Sequence, residues 1–136
     1  MVDLVDMVRA MSEVRFPQAR GDILSALSAL ASPEYQQRVW IERDYPREGY
    51  YDDFTLNINI LYDDTCVLED PEKAVGIYLK DRIEAAVLAD LARALDALFA
   101  ALGTERSDLE YMQSPLWRRV VESAKSAYRT LCAGNA

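Results

Sequence analysis

The chain contains no histidine, and that absence excludes more chemistry than any motif supplies. A histidine general base, a Ser-His-Asp triad and a His-ligated zinc or haem are all ruled out. Two cysteines, Cys66 and Cys132, cannot build a disulfide framework, so reduced and buried thiols are expected. The five glycines form neither G-x-G-x-x-G nor G-x-x-x-x-G-K-S/T, so no phosphate-cradling loop of the familiar kinds is present. No apolar run approaches the roughly 18 residues of a membrane span. The first residues carry Asp3 and Asp6 where a signal peptide would carry bases. These absences together lead us to expect a cytoplasmic protein without a cofactor.

What remains is an ordinary globular composition of 136 residues, 51% hydrophobic and 28% charged, which predicts a single domain over 1–136. The net charge of −8 is not spread evenly. Between Glu42 and Glu72 stand ten acids (Glu42, Asp44, Glu48, Asp52, Asp53, Asp63, Asp64, Glu69, Asp70 and Glu72) against only Arg43 and Arg47. The whole excess therefore lies in that stretch. Such a surface repels nucleic-acid phosphates and anionic membranes and attracts basic partners or cations. A solvated acidic face kept for solubility is the plain alternative.

Phe54, Leu56, Ile58 and Ile60 alternate with Thr55, Asn57 and Asn59, a period of two that predicts a half-buried strand. Cys66–Leu68 could pair back on it, with Val39–Ile41 or Val75–Leu79 as a third strand, because a lone hairpin is marginal in water. Elsewhere the pattern is helical. Apolar positions in 1–14 suggest a first helix closed by Phe16-Pro17. Asp22 looks like the N-cap of a second, and Ser32-Pro33 opens a third. From Asp81 to Leu102, leucines at 88, 91, 95, 98 and 102 fall at spacings of 3 and 4, with Gly103 as a stop. A last helix runs from Pro115 to about Ala133. The expected fold is α+β, mostly helical, with a small antiparallel sheet packed on the long amphipathic helix.

Aspartate pairs at both ends of the expected strand invite a carboxylate-based, metal-dependent hydrolase. An extended chain would hold Asp53 and Asp63 roughly 33 Å apart at ~3.3 Å per residue, so both pairs could not serve one metal. The aromatics Trp40, Tyr50 and Tyr51 interleaved with Glu42, Asp44, Asp52, Asp53, Asp63 and Asp64 instead resemble a protein-binding surface, with rings as anchors and carboxylates as steering groups. Core packing is the competing role for Trp40.

The segment Val39-Trp40-Ile41-Glu42-Arg43-Asp44-Tyr45-Pro46, followed by Tyr51-Asp52-Asp53 and Leu61-Tyr62-Asp63-Asp64, resembles a family of small, acidic, uncharacterised bacterial proteins. That resemblance covers about residues 30–130 and implies no activity. In size and acidity the chain is more loosely similar to immunity proteins that neutralise toxins. The expected function is therefore a non-catalytic binding protein for a basic protein partner. The alternatives are the metal-dependent hydrolase and a homodimer or scaffold joined through the leucine helix.

Overall fold

The structure, a computed structural model, describes residues 14–134. Six α-helices and three helical turns of other pitch account for its regular structure, and among the described residues there is no β-strand. A single isolated bridge between Val75 and Leu79 is the nearest approach to a sheet. The α+β expectation is thus overturned: the fold is all-helical. The helix expected in residues 1–14 lies, but for Val14, outside the described residues.

Helix α1 spans Pro17–Ala31; it starts at the proline and not at Asp22, which sits exposed inside it. Proline suits that first position because its missing N–H would have had no intrahelical partner. Ser32 then caps a short α2, Pro33–Tyr35, by accepting from the Tyr35 amide at 3.2 Å. The chain continues without a break into a π-helical turn, Gln36–Ile41. Helix α3, Phe54–Asn59, repeats this construction and widens into a π-helical turn at Ile60–Asp64. Each turn closes on an i→i−5 bond, from the Glu42 amide to Gln37 and from the Thr65 amide to Ile60. Each is followed by a left-handed residue, Arg43 (φ 57°) and Cys66 (φ 55°).

Helix α3 occupies the stretch expected to be the central strand. Phe54, Asn57 and Leu61 are buried and Ile58 half-buried, which is the i, i+3, i+4, i+7 spacing of a helix face. One of those buried positions is an asparagine, which breaks the apolar pattern. Leu56, which the alternation would place inside, is 41% exposed. The start signal was a local one: Asp53 accepts from the Leu56 amide at 2.8 Å as N-cap.

Helix α4, Arg82–Leu102, is capped by Asp81 and ends at Gly103, whose φ of 77° suits a residue without a side chain. Its leucines 88, 91, 95 and 98 are fully buried against the rest of the fold. A capping box built by Ser107 and Glu110 opens α5, Asp108–Met112. Helix α6, Trp117–Gly134, buries Trp117, Val120, Val121, Ala124, Ala127 and Leu131. It packs along both α1 and α4, so these three helices form the body of the core. Tyr128 sits at the exposed margin of this helix.

Two polar links cross that core. Arg20 of α1 makes a two-pronged ion pair with Glu84 of α4, both bonds 2.7 Å, and also donates to the Tyr78 and Leu131 carbonyls. Gln36 donates to the carbonyls of Ala29 and Leu30 and accepts from the Trp117 indole, tying α1, the first π turn and α6 together. Contrary to expectation Cys66 is exposed, and Cys132 only half-buried.

Candidate functional site

The centre of the candidate site is Asp52, the last residue but one before α3. Its Oδ2 accepts from the Tyr35 hydroxyl at 2.8 Å and from the Trp40 indole at 2.9 Å. The Asn57 amide spans both carboxylate oxygens, at 3.0 and 3.2 Å, and also donates to the Asp53 carbonyl at 2.8 Å. All three side chains around Asp52 are therefore neutral donors. Trp40 reaches Asp52 from the π turn Gln36–Ile41, while Asn57 does so from the first turn and a half of α3. The short α2 brings Tyr35. The group is local in the chain, since every partner lies within 17 residues of Asp52.

A second phenol completes the group: the Tyr50 hydroxyl bonds that of Tyr35. Burial, and then the bonds to Tyr50 and Asp52, push the Tyr35 phenol above its ordinary range, so it keeps its proton and stays a donor. The ring of Tyr50 stacks at an angle on Tyr45, which also meets Tyr51, and the Arg47 guanidinium lies over the Tyr50 ring at 5.2 Å. The loop 43–53 is thereby pinned at its end by Tyr50 and Asp52. Trp40 is 6% exposed, and its ring meets those of Phe54 and Trp117, so core packing and a polar contact with the site are both its work.

Asp53 sits beside this group as the α3 cap, with the exposed Tyr51 hydroxyl donating to it at 2.6 Å. That bond, more than any other influence, raises the Tyr51 phenol. Asp108 from α5 comes in from the other side and accepts from the Phe54 amide at 3.1 Å. Half-buried, it is pushed up chiefly by desolvation and further by the nearby charges of Asp53 and Asp52; the Phe54 amide pulls the other way.

The nine residues expected from sequence thus divide. Trp40, Tyr50, Tyr51, Asp52 and Asp53 come together around the start of α3. Glu42 and Asp44 are exposed where the first π turn runs into the loop. Asp63 and Asp64 are exposed at the far end of the second π turn, 9 and 10 residues beyond Phe54. As helix, the ten residues from Asp53 to Asp63 cover roughly 15 Å at ~1.5 Å per residue, under half of the expected strand separation and still too far for one ion. Among the described residues no group of three or more Cys, Asp or Glu is placed to hold a metal. Sequence reasoning missed Tyr35, Asn57 and Asp108 as members of the site. Asn57 falls on the polar face of the expected strand, which hides its role.

The group opens onto a cleft of about 610 Å³ between α1, α3 and α6. Ser25, Ser28 and Ser32 form one wall, and Tyr35, Tyr50 and Asp52 another; among the described residues no lysine or arginine lines it. No helix among the described residues is long and apolar enough to cross a membrane.

No curated protein and no solved structure matches this chain. A family model does, over residues 14–136, and that span includes every described helix and the whole Asp52 group. With nearly all of its length matched, the chain belongs to the domain-of-unknown-function family DUF7945.

Proposed function

We propose that the protein is a non-catalytic binding protein that engages a basic protein partner, of the kind an immunity-type inhibitor would meet, through the acids of the loop that follows the first π turn. The single observation that carries this reading is a contrast within the acidic stretch. Asp52, Asp53 and Tyr50 are spent on anchoring the loop, whereas Glu42, Asp44 and Glu48 stand exposed with no ion pair to any described residue. Charges held on a pinned loop lose little freedom when a partner arrives, which lowers the entropic cost of association. Their unbalanced negative field also speeds encounter with a cationic surface.

The alternative uses are less well supported. A metal-dependent hydrolase needs carboxylates converging on one point, and the two aspartate pairs lie at opposite ends of a helix. A scaffold joined through the leucine helix needs that stripe on the surface, and its leucines are spent inside the fold.

The test is capture of partners from the native extract on immobilised protein at low and moderate salt. Reversal of Glu42, Asp44 and Glu48 to Lys is expected to abolish a salt-sensitive partner while leaving helix content unchanged. Capture of the same protein by the reversed variant would refute the reading.

A further inference from the structure

The geometry points to the Asp52 cleft as a binding site for an N–H-rich organic cation, an alkylammonium or guanidinium group. Proton accounting carries this. A carboxylate only accepts, so the single Tyr35 hydroxyl proton is committed to Asp52. The bond between the two phenols must then use the proton of Tyr50. Tyr50 consequently donates inward, and its oxygen keeps its lone pairs without a described donor. Asp52 Oδ1 is bonded by the Asn57 amide alone, which leaves acceptor capacity on that oxygen as well. The serine hydroxyls of the α1 wall add further acceptors. The donors of Tyr35, Trp40 and Asn57 are thus turned toward Asp52 and that of Tyr50 toward Tyr35, and spare acceptors remain at the cleft.

Charge agrees with this. Among the described residues Asp52 is the one carboxylate lining the cleft, it is satisfied by neutral donors only, and no described base in the lining offsets it. Arg47 lies over the Tyr50 ring but is not part of the lining. A bare divalent metal is the poorer fit, since it demands several converging anionic oxygens. Directional N–H donors with an apolar stem match a single carboxylate, isolated acceptors, and a wall carrying Leu24, Ile60 and the Tyr128 ring. The volume falls within the ~300–1,000 Å³ of ordinary ligand sites.

This cation could come from a free polyamine or from a lysine or arginine side chain of the partner proposed above; in the second case the inference deepens that reading. The experiment follows the Trp40 indole N–H resonance, which reports on Asp52 directly, during titration with butylammonium, ethylguanidinium and, as a charge without N–H groups, tetramethylammonium. The first two are expected to give a saturable shift and tetramethylammonium an affinity at least about tenfold lower, because a charge-assisted hydrogen bond is lost. Asp52→Asn should abolish the response. Should that variant fold poorly, Ser28→Lys, at an exposed helix position lining the cleft, is expected to do the same by placing a competing cation there. Equal responses to all three ions, or undiminished binding by folded Asp52→Asn or Ser28→Lys, would overturn the inference.

Spermidine and a tri-arginine peptide then separate the two sources by which binds more tightly. The Glu42, Asp44 and Glu48 reversal leaves the cleft lining untouched, so it should still bind butylammonium. Small-cation binding without partner capture therefore refutes only the proposed function, and partner capture without small-cation binding refutes only this inference.

Discussion

Replacing Asp52 with alanine tests the centre of the site most directly. The substitution removes the acceptor of three donors, but they do not lose equally. The Tyr35 hydroxyl faces the cleft and can turn to water, and the Asn57 amide keeps its 2.8 Å bond to the Asp53 carbonyl. Trp40, 6% exposed and with no other acceptor among the described residues, is left with an orphaned indole N–H. Leaving one buried donor unsatisfied costs about 1–3 kcal/mol, and the two partly compensated bonds add about 0.5–1 kcal/mol each. The expected loss is therefore about 2–5 kcal/mol, a large share of the ~5–15 kcal/mol by which a domain is usually stable. Guanidinium unfolding followed by circular dichroism measures it. A double-mutant cycle with Trp40→Phe isolates the indole contribution, and a coupling of about 1–2 kcal/mol is expected for a bond of this type. A loss below ~0.5 kcal/mol for Asp52→Ala, the size of an ordinary surface change, would refute the view that Asp52 organises this end of the molecule. So would a cycle that closes to zero for Trp40.

Four further outcomes follow from the same structure. Arg20→Met should cost about 3–5 kcal/mol because it strands buried Glu84, whereas Arg20→Met with Glu84→Gln should regain more than half, since no unpaired charge remains; additive losses in thermal unfolding would contradict this. The Tyr62 hydroxyl is buried without a partner, and burial, aided by Asp96, pushes it up to about 12; Tyr62→Phe should therefore raise stability by about 0.5–1 kcal/mol, and destabilisation would reveal a bond now unseen. Asp108 is raised on folding, so its ionisation opposes the fold: the penalty is absent below its ordinary value of 3.8 and complete above the folded one. Asp108→Asn, which keeps an acceptor for the Phe54 amide, should thus gain in melting temperature relative to the native chain as pH rises from 3 toward 7, and a gain that shrinks over that range would reverse the assignment. Reversing Asp63 and Asp64 to Lys should stabilise α3 by favouring the negative end of its dipole; a lower melting temperature would contradict that.

The legible parts of the fold were those whose local and tertiary signals agree. The Asp81 cap, the leucine stripe and the Gly103 stop all specify one helix, and Ser32-Pro33 and the last helix behave likewise. Residues 54–64 were misread because three signals conflict there. Thr55, Ile58 and Ile60 are β-branched and Asn57 and Asn59 are weak helix formers, so propensity favoured a strand. The buried helix face contains Asn57, whose burial is affordable only because its amide serves Asp52 and the Asp53 carbonyl. A window that counts apolar residues cannot see that compensation, and what it recorded instead was an accidental alternation. The same asparagine hid the site: once position 57 is taken as an outward strand residue, Asp52 has no partner and reads as one more exposed acid.

The placement of the remaining acids bears on why the charge is there at all. Asp63 and Asp64 sit at the end of α3 where exposed carbonyls already concentrate negative potential, and its last turn carries no basic residue. Like charges at that end weaken a helix whose residues are poor helix formers to begin with. If acidity served solubility alone, the same number of carboxylates could stand at helix N-termini, where they stabilise; Asp53 and Asp81 demonstrate that the chain uses that option elsewhere. Keeping acids at the unfavourable end is a local conflict of the kind that proteins retain at functional surfaces and compensate in the core. The conflict separates the two accounts experimentally, because a lysine pair there should strengthen the fold under either one and weaken capture of a basic partner only if the acids are used for binding.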